Sequence, residues 1–321
     1  MSVKINRTPT DREWKLFTIF GSKKNYFSTE TYFRESFFDG YEVIGDNFAD
    51  LMVRTAVVVL RPEVFASGKA RAVISLIEKY DFRLKAFSTV KYDRLKIRET
   101  WRYQYSEATI DRMSLVDHLY CLGDAMILFF EDTSSVIRMP ASARLHKLKG
   151  ASEARLRTAD NLRSIIRIPN GVIRLFHIPD EPADIIREMG ILFEREQRLS
   201  LYNQLRSDSR ADNKLLNEAV TELESQHPLH DFSLDTAWNN IIASSNDEKF
   251  ISEIENLKEQ VEKQEIVGWD DVYSLLKKHN CSIYDILTVA SYVLKQDVDY
   301  EFHLIDGDAL RGWDPTFFAE H

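Results

Sequence analysis

Between residues 55 and 192, short β-branched runs take turns with segments whose apolar residues recur at helical spacing. This alternation restricts the chain to folds that combine one sheet with packed helices. The run at 55–60, Thr-Ala-Val-Val-Val-Leu, reads as a buried strand. A helix follows over 69–80, carrying Val73, Ile74, Ile77 and Tyr80 on one face, and 82–90 reads as a second strand. Helical pieces at 93–103 and 109–122 lead into a third strand, 125–131. A helix at 141–149 and a long polar stretch precede a fourth strand, 171–177, and a closing helix, 180–193. The order is βαββαβ. That is the split βαβ or ferredoxin-like arrangement, an α+β fold in which helices cover one face of an antiparallel sheet.

The flanks have different characters, which divides the chain into 1–51, 52–196 and 197–321. Residues 1–51 set Trp14, Phe17, Phe20, Tyr26, Phe27, Tyr32, Phe33, Phe37, Phe38 and Tyr41 among charges, more aromatics than a disordered tail carries, so an ordered extension is expected, packed on the domain or on a second subunit. Residues 197–321 read as a mainly α-helical, acidic region with polar breaks at 207–212 and 243–247. Phe250, Ile254, Leu257 and Val261 form an amphipathic stripe, and two further helices flank the turn Lys278-His279-Asn280. That stripe must pack, within the domain or against a protein partner.

At 321 residues and 44% hydrophobic content the chain can bury a substantial core. Its longest apolar runs are far too short for a membrane span and its first residues are polar, so a cytoplasmic protein is expected. Cys121 and Cys281 lie 160 positions apart without metal-ligand spacing, and both read as buried, inert thiols. The net charge of -9 is unevenly spread: residues 197–321 hold 24 acidic and 11 basic side chains, net -13, leaving +4 for residues 1–196. The first part can attract a phosphate-bearing ligand, and the acidic part argues against nucleic-acid binding.

One histidine attracts notice. His177 ends the fourth strand, Asp180 opens the next helix, and Glu188 lies near that helix's last turn. Arg155, Arg157, Arg163, Arg167 and Arg174 precede it closely, and guanidinium forks suit phosphate oxygens.

In these residues the chain resembles the nucleoside diphosphate kinases. That family's signature ends Asn-x-x-His-Gly-Ser-Asp-Ser, with Asp at +3, Glu at +11 and Phe at +16 from the catalytic histidine. Here Arg174-Leu175-Phe176-His177-Ile178-Pro179-Asp180 is followed by Glu188 at +11 and Phe193 at +16. Family members open with a strand and Lys-Pro-Asp-Gly, then Gly at +7 and two aliphatics at +12 and +13. This chain has Arg61-Pro62-Glu63-Val64, then Gly68, Val73 and Ile74 at those offsets. The resemblance spans about 140 residues and leaves the flanks untouched.

The resemblance implies a phosphotransferase in which His177 takes the γ-phosphate of a nucleoside triphosphate as phosphohistidine and passes it to a diphosphate, with Glu188 orienting the ring. It implies magnesium on the nucleotide phosphates and a homo-oligomer. Arg61 stands at the family lysine, Arg163 within one position of a phosphate-binding arginine, Ser152 at a phosphate-contacting threonine, and Asp180 at the pocket-side aspartate. Arg174 replaces the sugar-binding asparagine, while Trp101 and Arg112 fall near the family tyrosine and the base-stacking phenylalanine. Ile178-Pro179 replaces Gly-Ser and removes a serine that supports the carboxylate. These departures suit a second reading, a nucleotide-binding regulatory or interaction protein with a degraded kinase site.

Overall fold

The computed structural model describes residues 7–151, 154–263, 265–298, 304–305 and 312–313. Four helices come first: α1 (Asp11–Phe17), α2 (Gly21–Phe27), α3 (Thr31–Ile44) and α4 (Phe48–Arg54). The central unit runs β1 (Thr55–Leu60), α5 (Pro62–Ala66), α6 (Ala70–Glu78), β2 (Phe82–Val90), α7 (Arg94–Thr100), α8 (Ile110–Tyr120), β3 (Ala125–Asp132), α9 (Ala141–Lys149), α10 (Leu162–Ile166), β4 (Phe176–His177) and α11 (Pro182–Leu192). Then follow α12 (Arg195–Arg206), α13 (Asn213–Ser225), α14 (Leu234–Ala243), α15 (Glu248–Glu262), α16 (Trp269–Lys278) and α17 (Ile283–Val293). No helix among the described residues is long and apolar enough to cross a membrane.

The strand order is β2-β3-β1-β4, all antiparallel, which is the ferredoxin-like α+β topology. β1 sits between β3 and β4, and every one of its residues is buried. A central strand covered on both faces has no polar alternation, which is why 55–60 is an unbroken apolar run. β2 lies at the edge and is partly exposed, with a register shift between Leu84 and Ala86 where the strand bends.

The fourth strand is shorter than the sequence suggests: only Phe176 and His177 pair with β1. The Asn170 side chain accepts from the Val172 and Ile173 amides at 2.9 Å each, and Leu175 takes φ 62°. Asn170 thus folds 170–175 into a loop, competing with the sheet for backbone donors. The cysteine reading also needs correction. Cys121, just past α8, is exposed and Cys281 is half-buried, because each lies at a helix boundary rather than inside a core.

The N-terminal helices pack on α11 within the same chain. Gly190 makes this possible: a Cβ there would stand 2.1 Å from the Tyr32 carbonyl oxygen, so only glycine lets α3 approach. Phe17, Phe33, Phe37 and Phe48 are fully buried there, with Phe37 edge-on to Phe48 at 5.6 Å. In the C-terminal region α17 packs against α8 as well as against α14 and α16. In the stripe of α15, Phe250, Ile254 and Leu257 are buried and Val261 is half-buried against the core.

Candidate active site

His177 ends β4, one residue beyond the Phe176 that pairs with Leu60, so the sheet fixes its position. Its Nε2 lies 2.9 Å from Oε1 of Glu188 on α11, and the Trp101 ring stands edge-on at 5.4 Å. Among the described residues, Nδ1 has no hydrogen-bond partner, and neither has the buried second oxygen of Glu188, Oε2. α11 is held from outside. Arg187 bonds Glu30 (Nη2 to Oε1, 2.9 Å) and the Glu99 and Thr100 carbonyls, while Lys23 of α2 reaches Glu181 at 2.9 Å and Asp184 at 2.6 Å.

His177 opens onto a cleft of about 460 Å³ lined by Arg61, Trp101, Arg112, Arg163, Arg174 and Asp180, together with His146, Lys149, Tyr105 and Tyr120. Arg61, Trp101, Arg112, Arg163, Arg174, His177 and Asp180 therefore meet in one place, with Glu188 behind His177, while Arg155, Arg157 and Arg167 do not line the cleft. Ser152 lies outside the described residues.

The cations are differently engaged. Arg61 follows β1, is 4% exposed, pairs with Glu63, stacks 4.3 Å above the Tyr120 ring and donates from Nη1 to the Val172 carbonyl at 3.3 Å. Burial disfavours both charges of that pair; it pushes the Glu63 carboxyl up, while Glu63 outweighs it for Arg61. Arg112, in the first turn of α8, pairs with Asp297 from the segment after α17. That segment is tied down: the Thr109 amide donates to the Gln296 carbonyl at 3.1 Å and the Val298 amide to the Glu107 carbonyl at 2.8 Å.

Arg163 on α10 donates from Nη1 to the Gly150 carbonyl at 2.6 Å. Burial, with Arg174 and Arg157 adding repulsion, brings it down to about 9. Arg174 donates to the Gly171 carbonyl and is lowered to about 10 by burial and by Arg112 and Arg61. Asp180 pairs with the His146 ring and lies 3.8 Å from Lys149 Nζ; burial would raise its carboxyl, but His146 and Lys149 hold it well below the usual range. Burial first and neighbouring cations second thus disfavour the charges of Arg163 and Arg174.

Sequence reasoning missed His146, Lys149, Tyr105 and Tyr120. The first two had a signal: they stand three apart at the end of the helix expected over 141–149, which places them on one face just before Gly150. The tyrosines had none. The hydroxyls of Tyr105 and Tyr120 are buried and have no hydrogen-bond partner among the described residues.

Fold and site define a ferredoxin-like α+β protein with a cationic cleft that presents a carboxylate-held histidine. Among solved structures it is similar to a nucleoside diphosphate kinase of Aquifex aeolicus, at 14% identity and TM-score 0.36, over 44% of this chain and 95% of that one. It is also similar to an NDP kinase of Pyrobaculum aerophilum (15%, TM-score 0.36, 46% and 98%) and to a nucleoside diphosphate kinase of Encephalitozoon cuniculi (13%, TM-score 0.39, 51% and 99%). Identities and scores this low assign no activity to the chain. No family model matches it, and no curated protein does.

Proposed function

We propose that the chain is a nucleoside diphosphate kinase-like phosphotransferase working through a phosphohistidine at His177. The observation that carries this reading is the 2.9 Å contact between His177 Nε2 and Glu188 Oε1 at the wall of an arginine-rich cleft. With the proton on Nε2 and held by the carboxylate, the Nδ1 lone pair is the nucleophile. Nδ1 attacks the γ-phosphorus of a nucleoside triphosphate, the bond from phosphorus to the bridging oxygen breaks, and the diphosphate leaves with the electron pair. In the second half-reaction a terminal oxygen of another diphosphate attacks the phosphohistidine, and the electron pair returns to Nδ1. Glu188 offsets the positive charge that builds on the ring in both directions.

Arg61, Arg163 and Arg174 are suited to neutralise charge on the phosphates, and Trp101 and Arg112 to contact base or sugar. Magnesium would supply further charge neutralisation on the β- and γ-phosphates. Among the described residues no group of three or more His, Cys, Asp or Glu side chains could hold a metal, so the donors for the ion would be phosphate oxygens and water.

The test is incubation with γ-labelled ATP and magnesium. The reading requires acid-labile, alkali-stable label on the protein that is lost in His177→Ala. Bound nucleotide with no label would leave only a nucleotide-sensing role.

A further inference from the structure

Lys149 is the last residue of α9 and is 6% exposed, yet it faces the cleft. Its ammonium is poorly provided for. Nζ lies 3.1 Å from His146 Nδ1, 3.5 Å from the Ile178 carbonyl oxygen and 3.8 Å from Asp180 Oδ1. The first of these cannot be a donation from lysine. His146 Nδ1 makes its shorter contact with the Asp180 carboxylate, which requires the proton to sit on Nδ1, and a protonated ring nitrogen accepts nothing. Three ammonium donors are therefore left with one long carbonyl contact and a carboxylate already engaged by His146. A buried ammonium so placed is costly unless an anion arrives.

The place it occupies belongs to the nucleophile's neighbourhood. The carbonyl it touches is that of Ile178, the residue after His177. The arginines of the cleft have standing contacts: Arg61 to Glu63, Arg112 to Asp297, Arg174 to the Gly171 carbonyl, and Arg163 to the Gly150 carbonyl next to Lys149 itself.

We propose that Lys149 is a phosphate-binding residue of this cleft, taking up a proton from solvent as the ligand's phosphate arrives and then holding its oxygens beside His177. The proposal rests on the reading of the cleft as a phosphate site and adds to it a residue whose charge is made by the ligand. Burial, opposed by Asp180 and reinforced by Arg163 and Arg174, brings Lys149 down to about 7. The groups that face it are His146 on its own helix, Arg163 on α10, Arg174 in the loop before β4, His177 on β4, Asp180 in the following loop and Glu188 on α11. A phosphate oxygen within reach of Nζ outweighs the arginine repulsion and restores the lysine's ordinary affinity for its proton.

The experiment is calorimetric titration of the full chain with inorganic pyrophosphate at pH 8, in two buffers of different ionisation enthalpy. The wild type should take up roughly one proton more per pyrophosphate than Lys149→Met, and the variant should bind at least about tenfold more weakly. Lys149→Arg carries its charge beforehand, so it should keep the affinity and lose the uptake. That pattern cannot come from misfolding, and it decides the matter if the methionine variant does not fold. Equal uptake in wild type and Lys149→Arg overturns the proposal, as does a Lys149→Met affinity within about twofold of wild type. A wild type that does not bind pyrophosphate overturns it together with the phosphate-site reading. Uptake as expected without any label on His177 leaves Lys149 in place and removes only the transfer chemistry.

Discussion

His177 and Glu188 come from different elements, β4 and α11, and meet at 2.9 Å because Pro182 starts α11 five residues after the strand ends. Substituting Glu188→Gln removes the charge that offsets the developing imidazolium while keeping the side chain's shape. Single-turnover labelling should slow by about 10²-fold with nucleotide affinity nearly unchanged. An equal loss in affinity would mean that Glu188 holds the cleft together rather than the ring. Lys149 gives a second prediction. Its folded-state pKa of about 7 lies below the 10.5 of the unfolded chain, so between those values the unfolded state holds a proton that the folded state lacks. Stability from this group therefore rises with pH through that window and is lowest below it. In Lys149→Met the rise in Tm between pH 7 and pH 9.5 should be smaller than in the wild type. The spacing of His177, Asp180 and Glu188 was readable from the chain because a short loop and one helix preserve register. Lys149 was readable only as one of two basic side chains three apart at the end of the helix 141–149, and Tyr120 not at all, since burial beside a cleft leaves no trace in residue order.

At the level of elements, β1 and β3 could be read directly, as their apolar runs reflect cover on both faces. The segment 171–177 could not, because one side chain, Asn170, redirects two amides that an apolar pattern assigns to a ladder. The four residues 295–298 carried no pattern either, being too few to show a period. They nonetheless bring Asp297 to Arg112 at the cleft. Releasing that arginine should matter: Asp297→Asn should tighten pyrophosphate binding severalfold, by about 1 kcal/mol, since an unpaired guanidinium at the cleft adds a phosphate donor. Titration calorimetry reads this directly, and weaker binding would show that Asp297 orders the cleft more than it competes for Arg112.

Across the whole molecule the flanks bear on the site from two sides. The N-terminal helices grip α11 through Lys23, whose buried ammonium faces Glu181 and Asp184; burial would lower its pKa, but the two carboxylates together raise it. Lys23→Met leaves those carboxylates buried without their cation, and should cost about 3–5 kcal/mol, read as a lower urea midpoint. A loss below about 1 kcal/mol would show the N-terminal helices to be peripheral to stability. Aromatic content suggested an ordered N-terminal extension, but not the four helices that the described residues form between Asp11 and Arg54, because their apolar residues are spread over helices mostly seven residues long. Packing against α11 became visible only with Gly190 beneath Tyr32. On the C-terminal side, α16 and α17 pack against α8, which carries Arg112 and Tyr120 into the cleft.

The central claim is transfer through His177, and the most direct measurement is a two-step chase. Protein charged with γ-labelled ATP and magnesium is freed of nucleotide and then mixed with GDP. The account predicts label mapped to His177 after the first step and its passage into GTP after the second, with neither event in His177→Ala. Label that stays on the protein in the presence of GDP, or that forms equally in His177→Ala, would contradict it.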